Sequence, residues 1–189
     1  MDHRTELEID GSSVTTLADI VPPRGPLRVL FVGKTPSPAS VEVGHYFMGR
    51  MGKGLWKRLD EVGVLRTAKD EYADDLLLDN GFGVTDICKQ PRPFGEEPTK
   101  AEYVDGWERV NGLVVRLRPR ILVFVYKGAL DKVLEYSFGW EHKSGYGFND
   151  DLMRTFGRRV FAFPLPGVAC TAREAQRHMT DLAGALNVS

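Results

Sequence analysis

Four short apolar segments divide the chain, and each ends at a corner of glycine, proline or polar residues. They lie at 29–32, 83–87, 120–125 and 159–163. Their apolar side chains follow one another instead of alternating with polar ones, a pattern typical of strands that are buried on both faces. The first corner contains Gly33 and Pro36, which end a strand abruptly. The pattern therefore predicts four strands of a parallel sheet.

Between and after these segments, apolar residues recur at helical spacing. The predicted helices cover about 55–62, 100–117 and 129–138, and a last one begins at Thr171 and continues to about residue 186. Thr171 and Glu174 have the spacing of a capping box. Because strands alternate with helices, we expect an α/β fold, a three-layer α/β/α sandwich with a central parallel four-stranded sheet.

The carboxyl ends of parallel strands meet at one edge of a sheet, where open α/β folds bind their ligands. The residues at the four predicted strand ends are Gly33, Asp86, Tyr126 and Pro164. We therefore expect these four residues to lie along one edge and to surround the principal cleft.

The first 26 residues carry few periodic apolar positions and end in Pro-Pro-Arg-Gly-Pro at 22–26. Proline disfavours helix, and a segment with few apolar residues buries little surface. We expect residues 1–26 to form an extended or partly disordered arm and residues 27–189 to form one α/β domain.

The composition is that of an ordinary soluble domain. The 189 residues are 42% hydrophobic with a formal net charge of -1, which neither supports nor excludes nucleic-acid binding. Cys88 and Cys170, the two cysteines, are far apart and indicate neither a disulfide framework nor a metal site. No apolar run approaches the roughly 18 residues that span a bilayer, and a signal-peptide pattern is missing. We expect a cytoplasmic monomer without membrane contact.

Four motifs follow one another in an order and spacing that is specific when taken together. The first is Gly-Lys-Thr-Pro-Ser at 33–37, and the second is Gly-His-Tyr-Phe at 44–47 followed by Gly-Lys-Gly-Leu-Trp-Lys at 52–57. Gly-Val-Thr-Asp-Ile lies at 83–87 and Pro-Arg-Ile-Leu-Val-Phe at 119–124. These motifs resemble the uracil-DNA glycosylase superfamily, and specifically its mismatch-specific thymine/uracil branch. The resemblance covers about residues 27–187.

The resemblance implies a DNA glycosylase that hydrolyses the N-glycosidic bond of a damaged or mismatched base in base excision repair, with uracil as the first choice. It implies attack by water without a metal or an organic cofactor, and duplex DNA with a damaged base as the partner. By family position, Phe47 would stack on the extruded base. The other residues assigned to base binding are Gly33, Lys34, Tyr46 and Leu165.

Two positions depart from the motifs of the branch and direct attention to another residue. Thr35 stands where the branch has its water-positioning asparagine, and Leu165 stands where its last motif has a polar residue. A threonine hydroxyl forms hydrogen bonds but carries no negative charge. Asp86 lies where related branches have an asparagine that faces the pocket. We expect Asp86 and Thr35 to be catalytic; the alternative is that Asp86 only caps the next turn.

Basic residues flank the first and last motifs, and the small apolar side chain of Val168 lies beside the last one. By the resemblance, Val168 belongs to the loop that inserts into the duplex in members of the family. We expect this loop and the basic side chains to contact DNA, and the alternatives are a simple strand-to-helix corner and the mixed charge of a solvated helix face. The predicted DNA-binding residues are Lys53, Lys57, Val168, Arg173 and Arg177.

The replaced motif residues leave two other functions open. One is a catalytically silent protein that binds DNA or a free modified base in the same pocket. The other is a small-molecule enzyme, such as a nucleoside hydrolase, that uses the same cleft. A broad groove lined by lysine and arginine would favour DNA over a free nucleoside.

Overall fold

The computed structural model describes residues 1–187, so the last two residues of the predicted domain, Val188 and Ser189, lie outside the described residues. The strands are β1 (Arg4–Ile9), β2 (Ser12–Leu17), β3 (Val29–Gly33), β4 (Phe82–Asp86), β5 (Ile121–Phe124), β6 (Gly147–Phe148) and β7 (Arg159–Ala162). The helices are α1 (Pro38–Val43), α2 (Lys53–Glu61), α3 (Lys100–Leu117), α4 (Lys127–Phe138), α5 (Met153–Phe156) and α6 (Ala172–Asn187). Short 3-10 helices lie at Ala73–Leu76, Leu78–Asn80 and Asp150–Leu152.

A five-stranded sheet in the order β4-β3-β5-β7-β6 forms the centre of the molecule. The first four strands are parallel, as predicted, and Gly33 lies beside Asp86 in the register of β3 and β4. The fifth strand, β6, is antiparallel to β7. The expected number of four strands is therefore one too small, because a two-residue edge strand carries no hydrophobic period in the sequence.

Alternate residues of the strands face two different helical layers. Phe31 belongs to the buried cluster that includes Leu59 of α2 and the apolar face of α6. Its neighbour Leu30 belongs to a second cluster, with Trp107 of α3 and Leu130 of α4. The sheet therefore has helices on both faces, and the predicted three-layer α/β/α arrangement is confirmed.

Helices α3 and α6 both begin at capping boxes. The side chain of Thr99 accepts a hydrogen bond from the backbone of Glu102, and Arg118 ends α3 in a left-handed conformation. At α6, Glu174 N donates to Thr171 Oγ1 at 3.2 Å, and Thr171 N donates to Glu174 Oε2 at 2.9 Å. These end signals explain why both helices begin where the sequence predicts. Among the helices of residues 1–187, none combines the length and apolar character needed to cross a bilayer.

Residues 4–17 form a β-hairpin, which corrects the expectation of an extended or partly disordered arm. Strands β1 and β2 pair antiparallel around a two-residue turn at Asp10 and Gly11. Both turn residues have positive φ, 50° and 74°. Asp-Gly is favoured in such tight hairpin turns, and its place between two segments with β-branched residues is the signal that the arm prediction overlooks.

The segment after the hairpin covers one edge of the central sheet. Ile20 and Val84 of β4 exchange backbone hydrogen bonds at 3.0 and 2.9 Å. An uncovered edge strand would be free to pair with another chain, so this contact protects the sheet. The division of the chain at residue 27 stays a prediction.

Candidate active site at the carboxyl edge of the sheet

A cavity of about 860 Å³ opens at the carboxyl edge of the sheet. Residues at the ends of all four parallel strands line it: Lys34 after β3, Asp86 in β4, Tyr126 after β5, and Phe163 and Leu165 after β7. The ends of the four strands therefore meet at one cleft. Of the four residues predicted there, Asp86 and Tyr126 line it, whereas Gly33 and Pro164 lie next to lining residues in the chain.

Asp86 lines this cavity although only 1% of its surface is exposed. Within residues 1–187, neither of its carboxylate oxygens has a hydrogen-bond partner. Buried polar groups nearly always have partners, so such a carboxylate in a cleft is a candidate for contact with a substrate or a reacting water. Burial raises the pKa of Asp86 from 3.8 to about 7, because a charged carboxylate is poorly solvated there.

Gly33 leaves the space that this carboxylate occupies. A Cβ at position 33 would lie 2.0 Å from Asp86 Oδ1 and 3.1 Å from Phe47 Cε1. A larger residue would therefore collide with the candidate catalytic group and approach the aromatic ring closely. Gly33 was assigned to base binding, and the geometry gives it a clear effect on the two side chains beside it.

Charged residues near Asp86 shift its pKa in opposite directions. Lys89 and Arg109 lower it, whereas Asp19 raises it. Asp19 also contacts both cations, Lys89 Nζ at 2.5 Å and Arg109 NH1 at 2.7 Å. Because both cations are paired with Asp19, they offset only part of the effect of burial, and the pKa of Asp86 stays raised.

Phe47 and Tyr126 form an aromatic wall of the cavity. Their ring centroids are 6.4 Å apart, and the ring of Trp56 lies 5.6 Å from that of Phe47. Phe47 has a φ of 59°, an unfavourable conformation for a bulky residue. Gly52 permits it, because a Cβ at position 52 would lie 2.6 Å from the carbonyl oxygen of Phe47. The surrounding chain thus holds this ring in place.

Tyr46 also lines the cavity, but its polar atom is already engaged. The side chain is 1% exposed. Its hydroxyl donates to Ala18 O at 3.0 Å and accepts from Lys89 Nζ at 3.0 Å. The structure therefore favours an apolar contact of this ring with a bound base over a hydrogen bond from its hydroxyl.

The loop between β4 and α3 forms one side of the mouth and is held at both ends. Near its start, the guanidinium of Arg92 pairs with Glu102. Near its end, Glu97 Oε1 contacts Lys34 Nζ at 2.5 Å. Between these contacts, Phe94 borders the cavity and is 91% exposed. An exposed aromatic side chain on an anchored loop is well placed to meet a ligand at the mouth.

The cavity brings together most of the residues that the sequence assigns to chemistry and base binding. Thr35 and Val168 are half-buried in its wall, and Leu165 is buried. The predicted residues in the lining are Lys34, Thr35, Tyr46, Phe47, Asp86, Leu165 and Val168. The predicted residues outside the lining are the buried Gly33, beside Asp86, and four residues with exposed side chains, Lys53, Lys57, Arg173 and Arg177.

Helices α2 and α6 meet at the loop that follows β7. Gly54 packs against Pro166, since a Cβ there would lie 2.6 Å from Pro166 Cδ. Burial raises the pKa of the Cys170 thiol, and Arg58 and Arg177, one from each helix, both act to lower it. Basic residues of two helices therefore lie around one loop, and their contact with DNA stays a prediction.

Sequence reasoning gave no site role to several residues of the mouth. The run of proline and glycine at 91–95 is a visible loop signal. Tyr146 and Lys132 carry no such signal, because their position beside the cavity depends on how distant segments pack. The residues missed in this way are Arg50, Arg92, Phe94, Glu97, Lys127, Lys132 and Tyr146.

Comparison with known proteins agrees with the geometry. A family model described as the uracil DNA glycosylase superfamily matches residues 21–181, which include all four parallel strands. The chain is also 30% identical over 125 residues to the G/U mismatch-specific uracil DNA glycosylase of Schizosaccharomyces pombe. That match covers 59% of this chain and 38% of the length of that relative. The chain therefore belongs to the uracil DNA glycosylase superfamily, as its motifs predict, with similarity to the mismatch-specific branch.

Proposed function

We propose that this protein is a DNA glycosylase that hydrolyses the N-glycosidic bond of a damaged or mismatched base, with uracil as the first candidate. One observation carries the proposal: the Asp86 carboxylate is buried beside an open cavity and has no hydrogen-bond partner in the described part of the chain. Membership of the superfamily supports the reaction class. The name of the S. pombe relative supports uracil opposite guanine as a substrate.

In the proposed reaction, the ionised carboxylate of Asp86 acts as general base. It accepts a proton from water while the water oxygen bonds to the anomeric carbon. The bond between that carbon and the base nitrogen breaks, and its electron pair leaves with the base, which takes a proton from solvent. The sugar gains positive charge before the attack is complete, and a nearby carboxylate in a site of low dielectric stabilises that charge.

Thr35 has a supporting role in this proposal. It lines the same cavity as Asp86. Its hydroxyl can donate one hydrogen bond and accept others, so it can orient the water or a polar edge of the base. Because it cannot hold a negative charge, Thr35→Ala should reduce excision less than Asp86→Ala does.

The size and lining of the cavity fit an extruded nucleotide. A volume of about 860 Å³ lies within the range of small-molecule sites, roughly 300–1,000 Å³. Phe47 and Tyr126 line the cavity with aromatic rings, and stacking of a base on such a ring contributes about 1–3 kcal/mol. Leu165 offers an apolar wall where the branch has a polar residue.

Charge at the mouth favours DNA over a free nucleoside. Lys34, Arg50, Arg92 and Lys127 all border the cavity, together with Glu97. Phosphate contacts by such residues contribute much of the affinity for nucleic acid, and a nucleoside has no phosphate. A second candidate is the silent reader, a protein that binds DNA or a free modified base without cleaving it. It is favoured by the apolar Leu165 and the uncharged Thr35, which stand at the two positions that differ from the motifs of the branch.

The proposal is tested by single-turnover excision on short duplexes. These carry uracil opposite guanine or adenine, thymine opposite guanine, hypoxanthine or xanthine, and alkali cleaves any abasic product. We expect excision of at least one of these bases. Asp86→Ala and Asp86→Asn should lower the rate by about 100-fold or more, the usual effect of losing a general base. The exposed Asp79→Asn variant is the matched control and should keep the wild-type rate.

Three results would contradict the proposal. Full activity of both Asp86 variants would remove Asp86 from the mechanism. Tight binding of damaged duplex without excision of any base would support the silent reader. Cleavage of free nucleosides, with no action on duplexes, would support a nucleoside hydrolase.

A further inference from the structure

A second group of chemistry-bearing side chains lies away from the cavity, where the N-terminal hairpin meets the rest of the chain. One nitrogen or oxygen atom from each member lies within 4.8 Å of those of the other three. None of the four belongs to the cavity lining of the described chain, so the proposed glycosylase reaction leaves them without a role. This group, called the hairpin cluster below, consists of His3, His45, Asp74 and Asp75.

We propose that the hairpin cluster binds one divalent transition-metal ion. Two imidazole nitrogens and two carboxylate oxygens form a ligand set that Zn²⁺ and related ions accept. A tetrahedral ion with ligands at about 2.0–2.2 Å holds those ligand atoms roughly 3.3–3.6 Å apart. The distances between ligand atoms in the cluster, from 2.8 Å up to 4.8 Å, include this value, so small side-chain rotations are enough to form the site.

The individual contacts support this geometry. His3 Nε2 lies 2.8 Å from Asp75 Oδ1 and 3.9 Å from Asp74 Oδ2. His45 Nδ1 lies 2.9 Å from Asp74 Oδ1. Each imidazole therefore already has a carboxylate oxygen beside it, and an ion between them would take the place of the shared proton.

Burial and charge make an ion favourable at this point. Asp74 is 1% exposed and His45 is 4% exposed. Asp75 follows Asp74 directly, so two carboxylates are held side by side in a partly buried place. The N-terminal ammonium of Met1 pairs with Asp75 Oδ2 at 2.6 Å and offsets part of their negative charge, and a divalent ion held by the two carboxylates and two imidazoles balances the rest.

Two of the ligands are already oriented by contacts outside the cluster. The backbone N–H of Tyr46 donates to Asp74 Oδ2 at 2.7 Å. The ring of His45 stacks on Tyr72, with centroids 3.5 Å apart and planes 12° from parallel. Contacts of this kind fix ligand direction before an ion arrives and so strengthen a metal site.

The bound ion joins segments that are distant in sequence. His3 comes from the start of the hairpin, His45 follows α1, and the two aspartates lie in the 3-10 helix Ala73–Leu76. His45 directly precedes Tyr46 and Phe47 of the cavity wall. An ion here therefore fastens the hairpin to the segment that carries that wall, without taking part in the reaction.

The test is titration of the full chain, free of any histidine tag, with Zn²⁺. We expect one ion per chain by isothermal titration calorimetry. At a hundredfold excess of Zn²⁺ over its Kd, the melting temperature should rise by about 5–10 °C. His3→Gln and Asp75→Asn should each abolish this rise, and both positions are only partly buried, so the variants should fold. His142→Gln changes an exposed histidine elsewhere and should behave like the wild type.

Several outcomes would overturn the proposal. These are the lack of a stoichiometric binding step, binding that survives both His3→Gln and Asp75→Asn, and binding that is lost in His142→Gln. In each of these cases the cluster is a hydrogen-bonded network only. Because the readouts are binding and melting, failure here leaves the proposed glycosylase activity unaffected.

Discussion

Asp86 is held in an environment that opposes its own ionisation. Its carboxylate is buried, lacks a hydrogen-bond partner in the described chain, and has its pKa raised to about 7 by burial. A solvent-exposed carboxylate has a pKa several units lower and is therefore a weaker base. The same burial that makes Asp86 a useful base at neutral pH also destabilises the fold when Asp86 is charged.

The first prediction concerns the pH dependence of excision. Asp86 acts as a base only when ionised, so the single-turnover rate should increase with pH and level off above about 7. A rate that is flat from pH 5.5 to 8.5, or that falls as pH rises, would argue against a carboxylate base.

The second prediction concerns stability. In the unfolded chain Asp86 ionises near pH 3.8, and in the folded protein near 7. Because the pKa is higher in the folded state, protonated Asp86 favours the folded protein. This stabilisation is present in full below about pH 4 and declines as pH rises to about 7. The total change is on the order of 4 kcal/mol. Asp86→Asn should remove this decline, as urea unfolding at pH 5 and pH 8 would show. A wild-type stability that does not fall more than that of Asp86→Asn would contradict it.

The third prediction concerns Gly33. Gly33→Ala places a Cβ 2.0 Å from Asp86 Oδ1, so the carboxylate or the strand must move. We expect lower excision together with a lower melting temperature. Gly112→Ala is the matched control, because a Cβ there meets nothing within 4 Å and lies in α3. It should raise stability by about 0.5–1 kcal/mol. Unchanged activity of Gly33→Ala would show that Asp86 tolerates displacement.

Among the larger structural units, the loop between β4 and α3 contributes most to the mouth of the site. It carries Arg92, Phe94 and Glu97, all of which border the cavity. Pairs with Glu102 and Lys34 hold it on two sides. The loop therefore exposes the ring of Phe94 to solvent while its backbone is held in place. This limits the conformational entropy that the loop loses on binding.

The fourth prediction concerns this loop. Phe94 is 91% exposed, so Phe94→Ala should leave the melting temperature unchanged. If the ring stacks on a base of the damaged duplex, the variant should bind that duplex about 5- to 100-fold more weakly. Val115→Ala, at another exposed apolar residue on α3, is the control and should bind normally. Normal binding by Phe94→Ala, measured by fluorescence anisotropy, would exclude this contact.

The molecule as a whole has almost no net charge, and any attraction to DNA must come from how its charges are distributed. Basic residues gather around the mouth and on the helices beside the loop after β7. Local arrangements of this kind produce attractive potentials that the total charge of -1 hides.

The fifth prediction follows from that distribution. Affinity for duplex DNA should fall as salt concentration rises, because phosphate contacts release counterions. Lys53→Ala and Arg173→Ala should each reduce the slope of that dependence by about one counterion. Lys69→Ala, an exposed lysine outside the cavity, should leave the slope unchanged. Affinity that does not change with salt would argue against both the glycosylase and the silent reader.

Local patterns predicted much of the fold. The apolar runs located all four parallel strands, and the spacing of apolar residues located α2, α3, α4 and α6. These signals are local, because the buried face of a strand or helix requires apolar residues at fixed intervals along the chain. The hairpin was missed although the Asp-Gly turn was visible. Strand β6 was missed because two residues are too few to show a periodic pattern of apolar positions.

The sequence by itself determined the order of the four parallel strands and of α2, α3, α4 and α6, the family, and the position of Asp86 at a strand end. Only the tertiary structure decided the state of that carboxylate, because Gly33 leaves the space that it occupies, and its pKa is set by burial and by Lys89, Asp19 and Arg109. The hairpin cluster has the same origin, since His3 and Asp74 are far apart in sequence. Solvation and pairing are set by which residues come close in space, and spacing along the chain does not contain that information.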